Sequence, residues 1–325
     1  MSKAIYVTRK IPDIGIKMLT DKGYSVDMNP KDSLPTQKEL IKALKKKPYD
    51  AVLSLLTDKI DAKVFDAAPM VKMYANYATG FDNIDVVEAA KRGLVVTNAP
   101  SDIASEAVAE HAIALMLALA ARIVEANLFV RAGKYKGWDP MLFIGNDILG
   151  KTLALIGVGR IGGRVAYYAK GLGFKIIYHD VARNEKIEQE TGAVYYESID
   201  ELLKIADVVS LHTPLLDSTR HLINEERLKL MKPTGFLVNT SRGPVIDEKA
   251  LVKALKDKTI AGAGLDVFEF EPKITSGLIK LTNTILTPHI ASASVEARDE
   301  MATIAAQNII DFFEGRTPKN IIPKS

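Results

Sequence analysis

The sequence predicts an α/β protein with two domains, each built on a parallel β-sheet covered by helices. Short apolar runs alternate with amphipathic stretches from the N-terminus onward, which is the pattern that a parallel sheet with covering helices requires. The chain has 325 residues, which is more than one hydrophobic core usually serves. A glycine-rich turn at residues 157–162 opens a second α/β series near the middle of the chain, so we expect another domain to precede it.

The first series predicts a small α/β unit. Its apolar runs predict strands at residues 4–7, 24–28, 51–55, 72–75 and 94–97. Amphipathic stretches at residues 37–45 and 85–92 predict helices between them. The turn-rich residues 97–101 then lead into a long helix, and we expect the chain to enter the second domain there.

The second series predicts a doubly wound sheet with strands at residues 153–156, 175–179, 207–212, 235–239, 262–267 and 284–286. Because that sheet is then complete, we expect the amphipathic helix at 295–313 and the apolar tail at 320–323 to pack on the first unit. The predicted domains are therefore residues 1–99 with 292–325, and residues 100–291. The sequence at residues 131–150 predicts an irregular arm. We expect its apolar side chains to be covered, and another subunit is one candidate to cover them.

The glycine turn predicts a Rossmann-type dinucleotide site. It follows an apolar strand and opens a helix, which is the context that makes a glycine triplet informative. Gly157 permits the tight turn, Gly159 leaves room for a pyrophosphate at the helix N-terminus, and Gly162 lets the helix pack closely. The residues between the last two glycines, Arg160 and Ile161, are included in this predicted site.

The acidic residue at the end of the next strand predicts a preference for NADH over NADPH. Asp180 lies eighteen residues beyond Gly162 (180 − 162 = 18), where a carboxylate accepts hydrogen bonds from the ribose hydroxyls and repels a 2′-phosphate. Arg183 is the one indication of NADP, although an arginine in such a loop is more often solvated.

The composition limits the classes of function. With 47% hydrophobic and 26% charged residues and a net charge of +3, the chain is typical of soluble globular proteins, and we expect no nucleic-acid partner. The absence of cysteine excludes disulfides and thiolate metal sites, and no metal site is predicted. The N-terminus reads as a strand rather than a signal peptide. The apolar residues 107–121 are too few to span a bilayer, so we expect a buried helix, no membrane partner and a cytoplasmic location.

Three polar residues follow successive strands of the second series. Arg242, Glu271 and His289 come after the strands at 235–239, 262–267 and 284–286, at the carboxyl ends where open α/β sheets bind ligands. Taken singly, each is more often a solvated or structural group. Their joint placement beside a predicted dinucleotide favours a catalytic site.

This set of residues suits the reduction of a 2-oxo acid. A guanidinium holds a carboxylate and never loses its charge. A histidine donates a proton near neutral pH, and a neighbouring carboxylate favours its protonated form. The other histidines are interpreted as structural or as bystanders, except that one of them, His212, is a candidate to line the cofactor pocket; the remaining three are His111, His179 and His221.

Motifs along essentially the whole chain resemble the D-isomer specific 2-hydroxyacid dehydrogenases. They are GVGRIG at 157–162, LHTP at 211–214, NTSRGPVID at 239–247, GLDVFEFEP at 264–272 and TPHIAS at 287–292, with YANYATGFDNID at 74–85 and AVAEHAIALML at 107–117. The resemblance implies a flavodoxin-like substrate domain beside the Rossmann-type domain, an NAD-linked reaction and a homodimer.

The resemblance also implies roles for individual residues. Arg242 binds substrate, Glu271 supports the histidine, and His289 is the acid in reduction and the base in oxidation. Residues expected to touch the cofactor are Thr213, Pro214, Thr240, Asp266, Arg242 and His289. Residues expected to touch the substrate are Leu56, Thr79, Gly80, Arg242 and His289.

Within the family, WDPMLF at 138–143 and HIASAS at 289–294 look most like glyoxylate and hydroxypyruvate reductases. Asp180 and the AVAEHA segment depart from that group. No arginine pair is evident for a phosphorylated substrate, which leaves glyoxylate, hydroxypyruvate and pyruvate. Because some relatives are NAD(H)-responsive transcriptional corepressors, a binding protein without turnover is the alternative.

Overall fold

The computed structural model describes residues 2–31 and 33–323, and the chain divides into two compact units. The first unit contains the residues up to Ala104 and those from Ala293 onward, and the second is Ser105–Ser292. Each unit is built on one parallel sheet. The assignment of a substrate domain and a cofactor domain with the boundaries given above stays a prediction.

The first unit contains a five-stranded sheet in the order β2-β1-β3-β4-β5. Its strands are β1 Ala4–Val7, β2 Ser25–Met28, β3 Ala51–Leu55, β4 Met73–Tyr77 and β5 Val95–Thr97. This order is that of flavodoxin-like sheets. The helices that follow these strands are α1 Asp13–Asp21, α2 Gln37–Leu44, α3 Ala62–Ala67, α4 Val86–Lys91 and α5 Asp102–Ala120.

The second unit contains a seven-stranded sheet in the order β12-β11-β10-β9-β6-β7-β8. Its strands are β6 Thr152–Ile156, β7 Lys175–His179, β8 Val194–Tyr195, β9 Val208–Leu211, β10 Phe236–Asn239, β11 Gly262–Leu265 and β12 Thr284–Leu286. From β6 the chain first adds strands on one side of the sheet, β7 and β8, and then crosses to the other side of β6 to add β9 to β12. This reversal beside the first strand is typical of Rossmann-type sheets. The remaining helices are α6 Ile123–Arg131, α7 Arg160–Gly171, α8 Glu185–Thr191, α9 Ile199–Ile205, α10 Glu225–Leu230, α11 Glu248–Lys256 and α12 Val295–Phe313.

The predicted fold class is confirmed, with one strand added. The sequence predicted six strands for the second sheet, whereas the structure has a seventh, β8, of two residues. A strand of two residues is too short for an alternating pattern to be visible in the sequence.

The C-terminal residues contribute to the first unit. The small Gly15 of α1 packs against α12, where an added Cβ would lie 2.8 Å from the carbonyl oxygen of Ala302. The Ile322 N–H donates to the Val96 carbonyl at 2.9 Å. Both ends of the chain therefore build this unit.

Helix α5 carries apolar side chains of the second core. Leu115 and Leu119 pack against β11, where an added Cβ at Gly264 would lie 3.1 Å from Leu115. The sequence predicted a long helix from about residue 101 with an apolar stretch too short to cross a membrane, whereas the 19 residues of α5 are, among the described residues, long and apolar enough to do so. The argument from its length was therefore wrong. Its window is 56% buried within the protein, as in a core helix.

The arm at residues 131–150 is irregular, as predicted, but this chain does not cover it. Trp138 is 83% exposed, Met141 73% and Leu149 77%. The arm is bonded to the end of α5, where the Asn146 N–H donates to the Ala120 carbonyl at 2.9 Å. Its cover by another subunit stays a prediction.

Candidate active site

The loop between β6 and α7 requires glycine for separate reasons. Gly157 has a φ of 91°, in the left-handed region that glycine adopts without strain, and a Cβ there would lie 2.8 Å from the His212 carbonyl. A Cβ at Gly162 would overlap the Gly157 carbonyl oxygen. A Cβ at Gly159, the residue before α7, would meet no atom of the described residues within 4 Å. The space over the helix N-terminus is therefore open to an anionic ligand.

Asp180, at the end of β7, is tied to this loop. Its Oδ2 accepts from the Val158 N–H at 2.7 Å and its Oδ1 from the Val181 N–H at 2.7 Å. The neighbouring Arg183 is held by Glu188 through two hydrogen bonds of 2.7 Å. Because Arg183 is engaged in this way, it gives little support to a phosphate site beside Asp180.

Two buried hydroxyls suit a bound dinucleotide. The Oγ1 atoms of Thr213 and Thr240, which follow β9 and β10, are buried and have no hydrogen-bond partner among residues 2–31 and 33–323. A buried polar atom without a partner is costly, and a ligand with polar groups would satisfy it. Together with the open space at Gly159, these hydroxyls show that the predicted residues fit a dinucleotide.

His212 has a structural environment. Burial lowers the pKa of its imidazole to about 4, so the ring is neutral at physiological pH. Its Nε2 lies 2.9 Å from Ser210 Oγ. The remaining histidines of the second unit also have partners: Thr287 for His111, Tyr196 for His179 and Glu269 for His221.

Glu271 and His289 form a directly bonded pair. The His289 Nδ1 lies 2.9 Å from Glu271 Oε2, and the side chains are 27% and 30% exposed. The other carboxylate oxygen accepts from the Phe268 N–H at 2.9 Å. Burial raises the pKa of Glu271, but the hydrogen bond and charge of His289, the Phe268 amide and the charge of Arg242 together hold it below its ordinary value. The carboxylate is therefore ionised at neutral pH and orients the ring.

Arg242 lies in a turn that Asn239 shapes. The Asn239 Oδ1 accepts from the Ser241 N–H at 3.0 Å, and its Nδ2 donates to the Arg242 carbonyl at 2.9 Å. The next residue, Gly243, lies directly against the backbone of Phe268 and Glu269, where a Cβ would overlap. The turn that carries Arg242 and the loop that carries Glu271 are thus in contact, although the sequence separates them.

Asp266 holds the loop that carries His289. Its buried carboxylate accepts from the Ile290 N–H at 2.9 Å, the Ala291 N–H at 2.8 Å and Thr287 Oγ1 at 2.6 Å. Its carbonyl accepts from the His289 N–H at 2.8 Å. These bonds fix His289 at a φ of 55°, which is uncommon for residues other than glycine. The expected contact of Asp266 with the cofactor stays a prediction.

The residues expected to bind substrate in the first unit follow β3 and β4. Leu56 comes directly after β3, and Thr79 and Gly80 follow β4. Their carbonyls are tied by side chains, since Asn98 donates to Thr79 at 2.6 Å and Asn76 donates to Gly80 at 3.0 Å. The N–H groups of Thr79 and Gly80 donate to no acceptor in the described part of the chain. Both amides can therefore donate to a ligand.

Sequence reasoning missed several residues of this region. Gly243 and Asn239 lie within the NTSRGPVID motif, which is the signal that could have found them. An arginine pair was not evident, yet Arg9 and Arg298 line one cleft in the first unit. In the described ranges no group of three or more histidine, aspartate or glutamate side chains could hold a metal ion.

A family model and close relatives match the chain. The NAD-binding domain model of the D-isomer specific 2-hydroxyacid dehydrogenases matches residues 113–291. A glyoxylate reductase of Thermococcus litoralis is 48% identical, with 100% of this chain and 98% of that protein covered. One of Korarchaeum cryptofilum is 49% identical, with 99% and 96% covered.

Solved structures agree with the fold. An NADPH-dependent glyoxylate/hydroxypyruvate reductase from Sinorhizobium meliloti, in complex with NADP and malonate, superposes with a TM-score of 0.86 at 30% identity and covers 100% of this chain and 98% of that one. A glyoxylate reductase from Paecilomyes thermophila superposes with a TM-score of 0.87 at 32% identity, with 99% of each chain covered.

Proposed function

Because the chain belongs to the D-isomer specific 2-hydroxyacid dehydrogenase family, a family of oxidoreductases, we propose that it is an NADH-dependent reductase of small 2-oxo acids. Glyoxylate is the first candidate substrate, since the curated relatives are named for it, and hydroxypyruvate and pyruvate follow. The observation that carries the proposal is the pair of His289 Nδ1 and Glu271 Oε2, which lie 2.9 Å apart. The positive charge of Arg242 helps to lower the pKa of Glu271.

The side chains divide the work of the reduction. A bound nicotinamide cofactor would supply the hydride that the carbonyl carbon of the substrate needs. His289 donates the proton from its other ring nitrogen, Nε2, to the carbonyl oxygen, so that one hydride and one proton convert the 2-oxo acid to the 2-hydroxy acid. Glu271 stabilises the protonated imidazole and fixes the ring. Arg242 holds the carboxylate of the substrate with its guanidinium.

The preference for NADH rests on Asp180. Its carboxylate is fixed by the Val158 and Val181 amides, and it has further lone pairs for ribose hydroxyls. A 2′-phosphate would meet this negative charge. Because the Sinorhizobium meliloti neighbour is described as NADPH-dependent and bound to NADP, both cofactors must be tested. The contacts that we propose for the dinucleotide further involve Gly157, Gly159, Arg160, Ile161, Gly162, Thr213, Pro214, Thr240 and Asp266.

The proposed substrate contacts in the first unit are an apolar side chain after β3 and two backbone amides after β4. Leu56 supplies an apolar surface, and the N–H groups of Thr79 and Gly80 donate to a carboxylate. Two adjacent amides without other acceptors form the kind of concavity that binds small anions.

We further propose a cytoplasmic homodimer. The arm at residues 131–150 and helix α6 expose large apolar side chains, including Trp138 at 83%, Leu149 at 77% and Leu128 at 61%. Large exposed apolar side chains in one segment are typical of a protein interface when they form one surface. Light scattering should give the mass of two chains, and Trp138→Ser with Leu149→Ser should shift it toward one chain. A monomeric wild type would refute the dimer without affecting the proposed chemistry.

The activity is tested by following NADH and NADPH oxidation at 340 nm with glyoxylate, hydroxypyruvate and pyruvate. We expect turnover with NADH and a loss of about 10² to 10⁴ in rate for His289→Ala. A folded wild type that oxidises neither cofactor with any of these acids would contradict the proposal, as would an unchanged His289→Ala variant.

A further inference from the structure

A cleft of about 410 Å³ opens in the first unit at the carboxyl ends of its central strands. It lies where β1, β3 and β4 end, which is the edge at which open α/β sheets bind ligands. The lining residues are Arg9, Lys10, Ile11, Pro12, Asp13, Leu55, Tyr77 and Arg298. None of them has a role in the reaction proposed above.

Positive charge predominates in this cleft. Arg9, Lys10 and Arg298 supply cations, against the single carboxylate of Asp13. Three cations in a concave surface focus a positive potential on its interior. The two guanidiniums also present planar, multiple donors that match carboxylate and phosphate oxygens.

A buried carboxyl group joins the two strand ends beside Arg9. Asp58 is 2% exposed, and its Oδ2 accepts from Thr8 Oγ1 at 2.5 Å and from the Leu55 N–H at 2.7 Å. These bonds join the ends of β1 and β3. Burial raises the pKa of Asp58 above its ordinary value, although the nearby charge of Arg9 acts in the opposite direction.

Tyr77 fixes the opposite side of the cleft. Its ring is 5% exposed, and its hydroxyl donates to the Arg298 carbonyl at 3.0 Å. Burial raises the pKa of Tyr77, although the nearby charge of Arg298 acts in the opposite direction. The N-terminal turn of α12 is therefore bonded to the end of β4. Of the three cations that line the cleft, Lys10 is the exposed one.

We propose that this cleft binds a small anionic group, a carboxylate or a phosphate, through Arg9, Lys10 and Arg298. The cleft adjoins the amides assigned above to the substrate, since Tyr77 lies two residues before Thr79, which limits their Cα separation to roughly 7 Å. A three- or four-carbon acid spans such a distance. The group is then the second acidic group of a 2-oxo acid, an extension that rests on the proposed function, or it is a free anion.

Two measurements on the full chain test the cleft. The first is calorimetric titration with inorganic phosphate, without cofactor or substrate. The second is the ratio of kcat/KM for oxaloacetate to that for 2-oxobutanoate, two four-carbon acids that differ in the second carboxylate. The variants are Lys10→Gln and Arg298→Gln, and the matched control is Lys17→Gln, an exposed residue of α1 that does not line the cleft. Lys10→Gln keeps the test valid if Arg298→Gln affects folding.

We expect phosphate affinity and the oxaloacetate ratio to fall about tenfold in both cleft variants, with Lys17→Gln and turnover of 2-oxobutanoate unchanged. Weaker phosphate binding with an unchanged ratio supports the cleft and identifies a free anion as its occupant. A wild type that binds no phosphate, with the same ratio in all variants, overturns the proposal. Phosphate binding that weakens in both cleft variants, in a protein that reduces no 2-oxo acid, supports the cleft and overturns the proposed function. Phosphate binding that is equal in the wild type and both cleft variants overturns the cleft.

Discussion

Replacing Gly243 by alanine tests whether the contact between two active-site loops sets the catalytic geometry. Gly243 follows Arg242, and its Cα lies against the peptide between Phe268 and Glu269. The same loop continues to Glu271, whose carboxylate bonds His289 at 2.9 Å. A methyl group at residue 243 therefore displaces the turn that carries Arg242 from the loop that carries Glu271.

The size of the effect follows from the overlap. An alanine Cβ would coincide with the Phe268 carbonyl group, whereas non-bonded carbon atoms require about 3.5–4.0 Å. One loop must move by more than about 1 Å. A displacement of that size costs on the order of 10² in rate, while overpacking costs only about 1–3 kcal/mol of stability. We expect kcat to fall about a hundredfold in a protein that still folds.

The assay compares Gly243→Ala with Gly171→Ala, a glycine at the end of α7 whose Cβ would meet no described atom within 4 Å. Steady-state reduction of glyoxylate gives kcat, and calorimetry gives the affinity for NADH. Gly171→Ala should keep full activity. If Gly243→Ala also keeps it, the two loops do not depend on this contact, and our account of the site geometry is wrong.

Three further predictions concern single side chains. Because the pKa of Glu271 is lowered in the folded protein, its stabilising effect is present above its unfolded pKa of about 4.3 and is lost as the pH falls through the lowered value. The melting temperatures of wild type and Glu271→Gln should therefore differ at pH 7 and converge toward pH 3, and a constant difference would contradict this. Asp180→Ala should lower the ratio of kcat/KM for NADH to that for NADPH at least about tenfold, whereas Arg183→Ala, whose side chain is held by Glu188, should leave it unchanged; equal effects would count against the ribose assignment. Thr240→Val removes a buried hydroxyl without a partner in the described chain, so thermal melts should show the protein without NADH more stable by about 1 kcal/mol, and a smaller gain with NADH bound; a loss of stability without NADH would show that the hydroxyl is bonded.

The positions of the strands along the chain were the part of the fold most open to prediction. The apolar runs at β7 and β12 match the structure at both ends, because strands of a parallel sheet covered on both faces form short apolar runs. The helix α12 also matches, because a long amphipathic helix shows its period in the sequence. Helix α3 and strand β8 escaped prediction. Helix α3 has six residues, too few for a period to be visible, and tertiary packing rather than pattern stabilises such helices.

Candidate residues of the site could be proposed from the sequence, but the contacts between the loops that carry them could not. Strand ends of one parallel sheet meet at one edge, so the positions of Arg242 and His289 after β10 and β12 were informative. The sequence does not show that Gly243 abuts the loop of Glu271, nor that Asp266 anchors the loop of His289. Such contacts depend on loop conformation, which has no periodic signature.

The most direct measurement mixes the enzyme saturated with NADH rapidly with glyoxylate and follows absorbance at 340 nm in a single turnover. The account predicts fast decay for the wild type. For His289→Gln, also saturated with NADH, it predicts decay slower by about 10² to 10⁴. Equal decay rates in the two proteins, or no decay in the wild type with any small 2-oxo acid, would contradict the assignment of His289 as the proton donor.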